Sequence, residues 1–307
     1  MSAPADPVYR LSDLATWPQP GTWLAVLGHP IRHSLSPLMH HAALRELAAT
    51  EPRFRDWHYL RLEVPPADLP AALALLHEKK FHGLNLTVPH KIMACDLVAA
   101  VDPAARPIAA VNTLLSTPSG WLGHNTDGYG LAAAVREDLD LTLTGTPIIL
   151  LGAGGAARGA AVECLQRGCA SLAILNRSRA NLDALLAHLA PLAGEIPLRG
   201  ISSGDSLAAL PPHALVINAT SAGLQVDDPL PVELSALPVP AAVFDMIYNP
   251  PQTPLLRAAA ARGLPTANGL GMLVHQGAKA LEIWSGIPAA RTAPAMAAAL
   301  RAHRHGV

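Results

Sequence analysis

The stretch PIILLGAGGAARGAAVECLQRGCASLAILNRS, residues 147–178, decides the fold of this chain. An apolar run leads into a glycine-rich segment, a helix-compatible segment follows, and a second apolar run ends in Asn-Arg-Ser. This order predicts one βαβ unit whose first turn has the sequence G-x-G-x-x-A. Gly152 would permit the tight turn, Gly154 would let the backbone approach a pyrophosphate, and the small Ala157 would let helix and strand pack closely. Since a helix N-terminus offers free N–H groups and a positive dipole end to phosphates, the stretch predicts a dinucleotide-binding domain.

The composition favours a globular protein that acts on a small molecule. Half of the 307 residues are apolar and 15% are charged, which is not the composition of a disordered chain. The net charge of −1 gives no electrostatic reason to expect nucleic acid or an anionic membrane as a partner. Three cysteines without a C-x-x-C pair fit a reducing compartment, and neither a signal peptide nor an apolar run of 18 residues is evident. We therefore expect a soluble cytoplasmic protein.

The first part of the chain predicts strands that alternate with helices. Strands are expected at 23–27, 59–64 and 83–88, and helices at 38–49 and 66–79. Such alternation is typical of a mainly parallel sheet with helices on both faces. Segments 110–115 and 121–124 flank Thr117-Pro118-Ser119-Gly120, which predicts a hairpin.

The later part also alternates strands and helices. Strands are expected at 214–218, 243–247 and 264–267, and helices at 129–139, 181–189, 253–262, 272–284 and 289–303. Between the first two of these strands, the small residues of Ala219–Gly223 suit the close approach of a flat ring.

Two serines precede the first helix and have different explanations. Ser36 is a good N-cap and Pro37 suits the first helical position, so capping alone could explain Ser36. Ser34 has no such explanation. Two hydroxyls beside a helix N-terminus also make a receptor for a carboxylate, and both interpretations remain open.

Polar residues near the end of the strand at 83–88 form a second candidate site. Asn85 and Thr87 share one face of the strand, and on a buried sheet they need either local backbone partners or a ligand. Lys91 follows at the carboxyl edge, where open α/β sheets bind ligands, although a lysine in this place is often merely solvated. Asp127-Gly128 could likewise be an ordinary turn. The histidines at 29, 33, 40 and 41 predict no metal site, because no acids or cysteines accompany them.

Taken together, the motifs resemble the shikimate dehydrogenase family from residue 28 to residue 286. The matching segments are GHPIRHSLSPLMH (28–40), GLNLTVPHK (83–91), AVNTL (110–114), GHNTDGYG (123–130), LGAGGAARGA (151–160), NRS (176–178), NATSAGL (218–224), YNPPQTPLL (248–256) and NGLGMLVHQGAKALEIWSG (268–286). The resemblance implies an enzyme of aromatic amino-acid biosynthesis that reversibly reduces 3-dehydroshikimate to shikimate with NADP(H). It also implies an α/β fold of two domains, with a substrate-binding domain at 1–128 plus 268–307 and a Rossmann-like domain at 129–267.

The same resemblance assigns roles to individual residues. Lys91 and Asp127 would be the catalytic pair. Ser34 and Ser36 would hold the substrate carboxylate, and Asn85, Thr87, Asn112, Tyr248 and Gln276 would hold its hydroxyls or ketone. The cofactor would be bound by Gly152, Ala153, Gly154, Gly155, Ala156, Asn176, Arg177, Ser178, Thr220, Met246 and Gly269. An ammonium at Lys91 agrees with the chemistry, because an alkoxide that develops as hydride arrives needs a proton and a nearby positive charge.

The end of the second strand of the βαβ unit favours NADP over NAD. NAD-binding units carry an acidic residue there for the ribose 2′-hydroxyl, whereas this chain has Asn176 followed by Arg177, which can bind a 2′-phosphate. A second basic residue is common four positions after the arginine, but Asn181 stands there, and Arg179 could substitute.

Three alternatives stay open at this stage. One is a quinate/shikimate dehydrogenase that prefers NAD, and another is a catalytically silent NADP- or shikimate-binding regulatory module. The third, a folate-linked dehydrogenase of similar plan, gives the two serines no role. The sequence leaves open whether the chain is a monomer or a homodimer.

Overall fold

The computed structural model describes residues 7–17, 20–225 and 227–305. Backbone contacts divide the chain into two compact units. One contains the described residues up to Thr126 together with those from Gln276 onward, and the other is Asp127–His275. The sequence-based division at 268 precedes the helix Leu270–Ser285, whereas the second boundary between the units falls inside that helix.

The first unit is built on a mixed sheet of seven strands. They are β1 (Val8–Tyr9), β2 (Thr22–Gly28), β3 (Trp57–Glu63), β4 (Gly83–Leu86), β5 (Ala100–Val101), β6 (Thr113–Thr117) and β7 (Gly120–His124). In the order β1-β3-β2-β4-β6-β7-β5, the first four are parallel, β6 is antiparallel to β4 and β7, and β5 is parallel to β7. The helices of this part are α1 (Ser36–Thr50), α2 (Leu69–Glu78) and the one-turn α3 (His90–Met93).

The register of β4 and β6 decides where polar residues meet in this unit. Because β6 runs antiparallel to β4, the start of β6 and the end of β7 lie at the same edge as the carboxyl ends of β2, β3 and β4. That edge is where open α/β sheets bind ligands.

The second unit is a parallel sheet of six strands. They are β8 (Pro147–Leu151), β9 (Ser171–Leu175), β10 (Leu198–Ile201), β11 (Leu215–Asn218), β12 (Ala242–Asp245) and β13 (Thr266–Asn268). Their order, β10-β9-β8-β11-β12-β13, is the doubly wound order of a dinucleotide-binding fold, with β8 as its first strand. The helices are α4 (Asp127–Leu139), α5 (Gly155–Gln166), α6 (Arg179–Ala193), α7 (Pro254–Ala261), α8 (Leu270–Ser285), which continues into the first unit, and then α9 (Ala289–His305).

The α/β fold class expected from the sequence is confirmed, and the differences in its elements have local causes. β4 ends two residues before the predicted end, and the following Val88 is exposed. Sequence patterns do not indicate β1, β5 or β10, because two of these strands have only two residues and the third, Leu-Arg-Gly-Ile, shows no alternation. Among the described residues, none of the helices is both long and apolar enough to cross a membrane.

Candidate functional site

The serine loop between β2 and α1 is held by hydrogen bonds between side chains and the main chain, and Ser36 does not cap the helix. The prediction that Ser36 caps the helix is wrong, because α1 begins at Ser36 and its N-cap is Leu35, without a side-chain cap bond. Instead the Ser36 N–H donates to Ser34 Oγ at 3.3 Å, and Arg61 Nη2 donates to the Ser34 carbonyl at 2.7 Å. The loop therefore places Ser34 and the buried Ser36 next to each other at the carboxyl edge of the sheet, and helix capping no longer explains Ser36.

Asn85 lies at the end of β4 and is tied to three neighbours. Its Oδ1 accepts the Tyr59 hydroxyl at 2.7 Å, and its Nδ2 donates to the carbonyl of Asn112 at 3.2 Å and to Thr113 Oγ1 at 3.0 Å. Asn85 is 5% exposed, so these contacts satisfy a buried amide. Thr87, predicted to lie on the strand, follows its last residue and donates its N–H to the Leu27 carbonyl.

Asn112 is the centre of the polar cluster in the first unit. Its Oδ1 accepts the Thr126 N–H at 2.8 Å and the Thr113 hydroxyl at 3.1 Å. Its Nδ2 donates to Thr126 Oγ1 at 3.0 Å and lies 3.5 Å from Gln276 Oε1. The structure thus brings Asn85, Asn112 and Gln276 together at one edge of the sheet.

Lys91 lies in the one-turn helix α3, half-buried, and its backbone is anchored to the same cluster. The Val111 N–H, one residue before Asn112, donates to the Lys91 carbonyl at 2.8 Å. His90 Nε2 lies 2.9 Å from the Val64 carbonyl, and the His90 N–H donates to the Thr87 carbonyl at 2.9 Å. These bonds fix the main chain that carries the lysine.

Asp127 and Tyr248, the other two residues expected to act on substrate, belong to the second unit. Asp127 is the first residue of α4 and directly follows Thr126. Tyr248 lies three residues after β12, and burial raises the pKa of its hydroxyl. Both side chains are half-buried.

The phosphate loop of the second unit fits a dinucleotide. Gly152 has φ +109°, and a Cβ there would lie 3.0 Å from Thr220 Cγ2 and 3.2 Å from the Ala219 carbonyl, so the turn itself requires glycine. Gly154 is different, because it has an ordinary φ of −85° and a Cβ would meet nothing within 4 Å. The backbone of Gly154, Gly155 and Ala156 at the start of α5 is exposed. The protein alone therefore gives no reason for glycine at 154, whereas the close approach of a pyrophosphate does.

The phosphate loop borders a cleft of about 660 Å³ that lies wholly within the second unit. Six of the predicted cofactor residues line it, namely Gly152, Ala153, Gly154, Asn176, Arg177 and Thr220. The loop 202–205 after β10 also lines the cleft, and sequence reasoning missed it because β10 was not expected. Gly155, Ala156, Ser178, Met246 and Gly269 are not among its lining residues.

The end of β9 shows which arginine is available in this cleft. Arg179 Nε donates to both carboxylate oxygens of Asp183, at 2.9 and 3.0 Å, so Arg179 is already engaged along its own helix. Arg177 is exposed, lines the cleft, and makes no hydrogen bond or ion pair to another residue in the described part of the chain. Ser178 caps α6 by accepting the Asn181 N–H at 3.3 Å. Arg177 is therefore the cation that this side of the cleft offers to a ligand.

A buried network that the sequence analysis missed holds the loops after β11 and β12. The Asp245 carboxylate is fully buried and accepts hydrogen bonds from Asn218 Nδ2 at 3.0 Å, the Ile247 N–H at 3.0 Å and Thr253 Oγ1 at 2.6 Å. Burial raises the pKa of this carboxyl group, against those three bonds. Asn218 Oδ1 accepts the Thr220 N–H and hydroxyl at 3.1 and 2.7 Å. The only sequence signal was a polar residue at the carboxyl end of each strand.

Met246 and Gly269 are packed against each other behind these loops. A Cβ at Gly269 would overlap the Met246 carbonyl, and the Gly269 N–H donates to the Ile247 carbonyl at 3.1 Å. Glycine at 269 thus lets the segment before α8 approach the segment after β12.

No group of three or more His, Cys, Asp or Glu side chains that could hold a metal ion occurs in residues 7–17, 20–225 and 227–305. The histidines at 29, 33 and 40 have separate environments. His29 Nδ1 pairs with Glu63 Oε1 at 2.6 Å, His33 is exposed, and His40 is fully buried.

The doubly wound sheet with this phosphate loop is typical of domains that bind a dinucleotide cofactor. Comparison with known proteins shows which family of dinucleotide-binding proteins the chain resembles. Residues 26–114 match the family model described as "Shikimate dehydrogenase substrate binding domain", and residues 269–301 match "Shikimate 5'-dehydrogenase C-terminal domain". The chain is 40% identical to the shikimate dehydrogenase (NADP(+)) of Symbiobacterium thermophilum, over 87% of this chain and 90% of that protein.

Solved structures give the same result. Shikimate 5-dehydrogenase of Thermus thermophilus, in complex with NADP(H) and shikimate, is 33% identical with a TM-score of 0.77 and covers 91% of this chain and 99% of its own. The Listeria monocytogenes enzyme, in complex with shikimate and NAD, is 28% identical with a TM-score of 0.77 and covers 89% and 95%. The chain belongs to the shikimate dehydrogenase family.

Proposed function

We propose that this chain is an NADP-dependent shikimate dehydrogenase that interconverts 3-dehydroshikimate and shikimate, with Lys91 and Asp127 as its catalytic pair. The observation that carries the proposal is the cluster of Asn85, Asn112 and Gln276 at the sheet edge of the first unit. These are residues that the family resemblance assigns to substrate, and the main chain of Lys91 is anchored one residue from Asn112.

The substrate carboxylate would be bound by the serine loop. Ser34 and Ser36 would each donate a hydroxyl hydrogen bond to the carboxylate, and Ser36 would exchange its bond with Tyr59 for this one. Hydrogen bonds to a charged group are stronger than those between neutral groups. Arg61 holds the Ser34 carbonyl, so the loop would be formed before substrate arrives. A preformed loop lowers the entropy cost of binding.

The polar cluster would then orient the ring of the substrate. Asn112 Oδ1 accepts hydrogen bonds from Thr126 and Thr113, and the bond from Thr126 fixes the residue directly before Asp127. Gln276 and Thr87 would bind substrate hydroxyls, a role that the family resemblance also assigns to Tyr248. Orienting a reactant in this way converts binding energy into rate.

Lys91 would supply the proton and the positive charge that the reaction needs. As the ketone is reduced, its oxygen becomes an alkoxide, and an ammonium beside it stabilises the charge and donates a proton. In the oxidative direction, the amine would take the hydroxyl proton instead. The family resemblance assigns Asp127 to the same step, as the partner of the catalytic lysine and as an acceptor for a substrate hydroxyl. The nicotinamide, when bound, supplies or accepts the hydride.

NADP is the cofactor that the cleft residues favour. Arg177 has no partner within the described residues and no acidic residue stands at the end of β9, so a 2′-phosphate would meet a guanidinium there. The NAD complex of the Listeria relative keeps NAD as the second candidate cofactor.

We also propose a cytoplasmic enzyme that acts alone or as a homodimer. The free cysteines Cys95, Cys164 and Cys169 support the proposal of a reducing compartment. Light scattering on the purified protein would distinguish a monomer from a dimer.

A steady-state assay tests the proposed function. Shikimate and quinate are each oxidised with NADP and with NAD, and the formation of reduced cofactor is measured. We expect efficient turnover of shikimate with NADP, and a turnover number at least about 10²-fold lower in Lys91→Ala, since the ammonium acts chiefly in the transition state. Lys80→Ala, which removes an exposed lysine after α2, is the matched control. A preference for quinate and NAD would favour the first alternative, and binding without any turnover would favour a regulatory module.

A further inference from the structure

The hydrogen bonds of Asn85 leave its amide with one group to offer a ligand. Both hydrogens on Nδ2 are directed at protein acceptors, the Asn112 carbonyl and Thr113 Oγ1. Oδ1 already accepts the Tyr59 hydroxyl, which leaves a single lone pair. In this arrangement Asn85 can accept a hydrogen bond from a substrate hydroxyl, but it has no free N–H for a ketone.

Tyr59 is held rigidly beneath this site. Its ring stacks on His40 with centroids 4.0 Å apart and an angle of 6° between the planes, and Trp284 lies 6.3 Å away on α8. His41 Nε2 lies 2.7 Å from the Tyr59 carbonyl. Tyr59 is 1% exposed, and its hydroxyl contacts both Asn85 and Ser36. It therefore links Ser36, which we propose to bind the substrate carboxylate, to Asn85, which we propose to bind a ring hydroxyl.

His40 contributes to the site by stacking on Tyr59 and not by hydrogen bonding. It is fully buried, and neither ring nitrogen has a hydrogen-bond partner among the residues that the structure describes. Burial and the neighbouring His41 lower the pKa of His40 to about 3, so the ring is neutral near pH 7. Buried nitrogens without hydrogen bonds lower the stability of the fold, and the stacking of the His40 ring on Tyr59 opposes this loss.

We propose that Tyr59 is a positioning residue of the substrate site, which fixes the Asn85 amide with its oxygen as the acceptor for a substrate hydroxyl. The inference rests on the proposed function of that site. Removing the Tyr59 hydroxyl would leave Asn85 Oδ1 without its buried donor, and the amide would relax toward other donors. Substrate would then meet an amide that is no longer held in the productive orientation.

The variant Tyr59→Phe tests this role, because it keeps the ring stacked on His40 and deletes only the hydroxyl. We expect the KM for shikimate to rise about tenfold, with kcat within about threefold of the unmodified enzyme and the KM for NADP unchanged. Tyr9→Phe is the matched control, since Tyr9 lies on β1 and packs against Trp17. Thermal unfolding of each variant shows whether the fold is kept.

A double-mutant cycle separates positioning from general loosening of the fold. Asn85→Ala removes the group through which Tyr59 acts, so adding Tyr59→Phe to it should raise the KM for shikimate less than twofold further. Two independent, multiplying effects would overturn the inference, as would an unchanged KM in a folded Tyr59→Phe protein. If the unmodified protein oxidises shikimate, either result rejects only the positioning role of Tyr59 and leaves the proposed function intact. If the unmodified protein is inactive, the proposed function is rejected as well.

Discussion

The carboxylate of Glu163, on α5, lies directly against Gly128, the second residue of α4. A Cβ at Gly128 would overlap Glu163 Oε2 and lie 3.1 Å from Glu163 Cβ. Glu163 is 9% exposed and its Oε1 accepts a hydrogen bond from Arg167 Nε at 2.8 Å. Since Asp127 precedes Gly128, this contact sets how closely the start of α4, which carries the proposed catalytic Asp127, packs against α5.

Gly128→Ala should therefore impair both stability and turnover. The added methyl would push the Glu163 carboxylate away and shift the first turn of α4, and overpacking of this kind costs about 1–3 kcal/mol. We expect a lower free energy of unfolding in urea and a reduced kcat for shikimate. Combining it with Glu163→Ala should recover part of the loss, because the methyl then has room. Simple addition of the two losses would show that the contact is not the cause.

Gly154→Ala should weaken cofactor binding without weakening the fold. Its backbone conformation suits alanine and its Cβ would point into open space, so the free energy of unfolding should stay within about 0.5 kcal/mol of the unmodified value. The KM for NADP should rise at least about tenfold, because the methyl stands where a pyrophosphate approaches. Gly152→Ala is the contrast, since its φ of +109° predicts a loss of stability. An unchanged KM for NADP in Gly154→Ala would contradict the proposed phosphate site.

Arg177→Ala should remove most of the cofactor preference. We expect kcat/KM to be at least about tenfold higher with NADP than with NAD in the unmodified enzyme, a difference of about 1.4 kcal/mol. In Arg177→Ala the value with NAD should hardly change while that with NADP falls toward it. Arg179→Ala is the matched control, because Arg179 is paired with Asp183. A larger effect at Arg179 than at Arg177 would reverse the assignment.

His40 should make the fold sensitive to acid. Its pKa is about 3 in the folded chain against an ordinary 6.5, so between these values the unfolded chain binds the extra proton. The free energy of unfolding should fall as the pH is lowered from about 6.5 toward 3, by at most about 1.4 kcal/mol per pH unit. His90 and His124, whose pKa values are also lowered by burial, act in the same direction.

Urea unfolding of the unmodified protein and of His40→Phe at several pH values isolates this contribution. His40→Phe should show a shallower loss of stability across the acid range, whereas His303→Phe, at an exposed position of α9, should follow the unmodified protein. Parallel curves for all three would mean that His40 is not protonated on unfolding.

The fold could be predicted from the sequence because local patterns and the phosphate loop agree. The glycine-rich turn between two apolar runs predicts β8, α5 and β9, and the structure places β8 and β9 side by side and parallel. Gly152 shows this best, since its positive φ is what its place in the motif demands.

The contacts that hold the site could not be predicted, because they join residues far apart in the chain. Tyr59 and Asn85 are 26 residues apart, and Asn112 and Gln276 are 164 apart. The hydrophobic periodicity of the sequence indicates helices and strands, but it does not indicate which distant residues form such pairs. Ser36 illustrates the opposite error, since a good local capping signal gave way to a helix that begins at the serine itself.

The most direct measurement of the central claim is product analysis of the reductive reaction. Purified protein is mixed with 3-dehydroshikimate and NADPH, and shikimate and NADP are quantified by chromatography. We predict one shikimate formed for each NADPH consumed, with little product in Lys91→Ala. No consumption of NADPH, or consumption without shikimate, would contradict the proposed function.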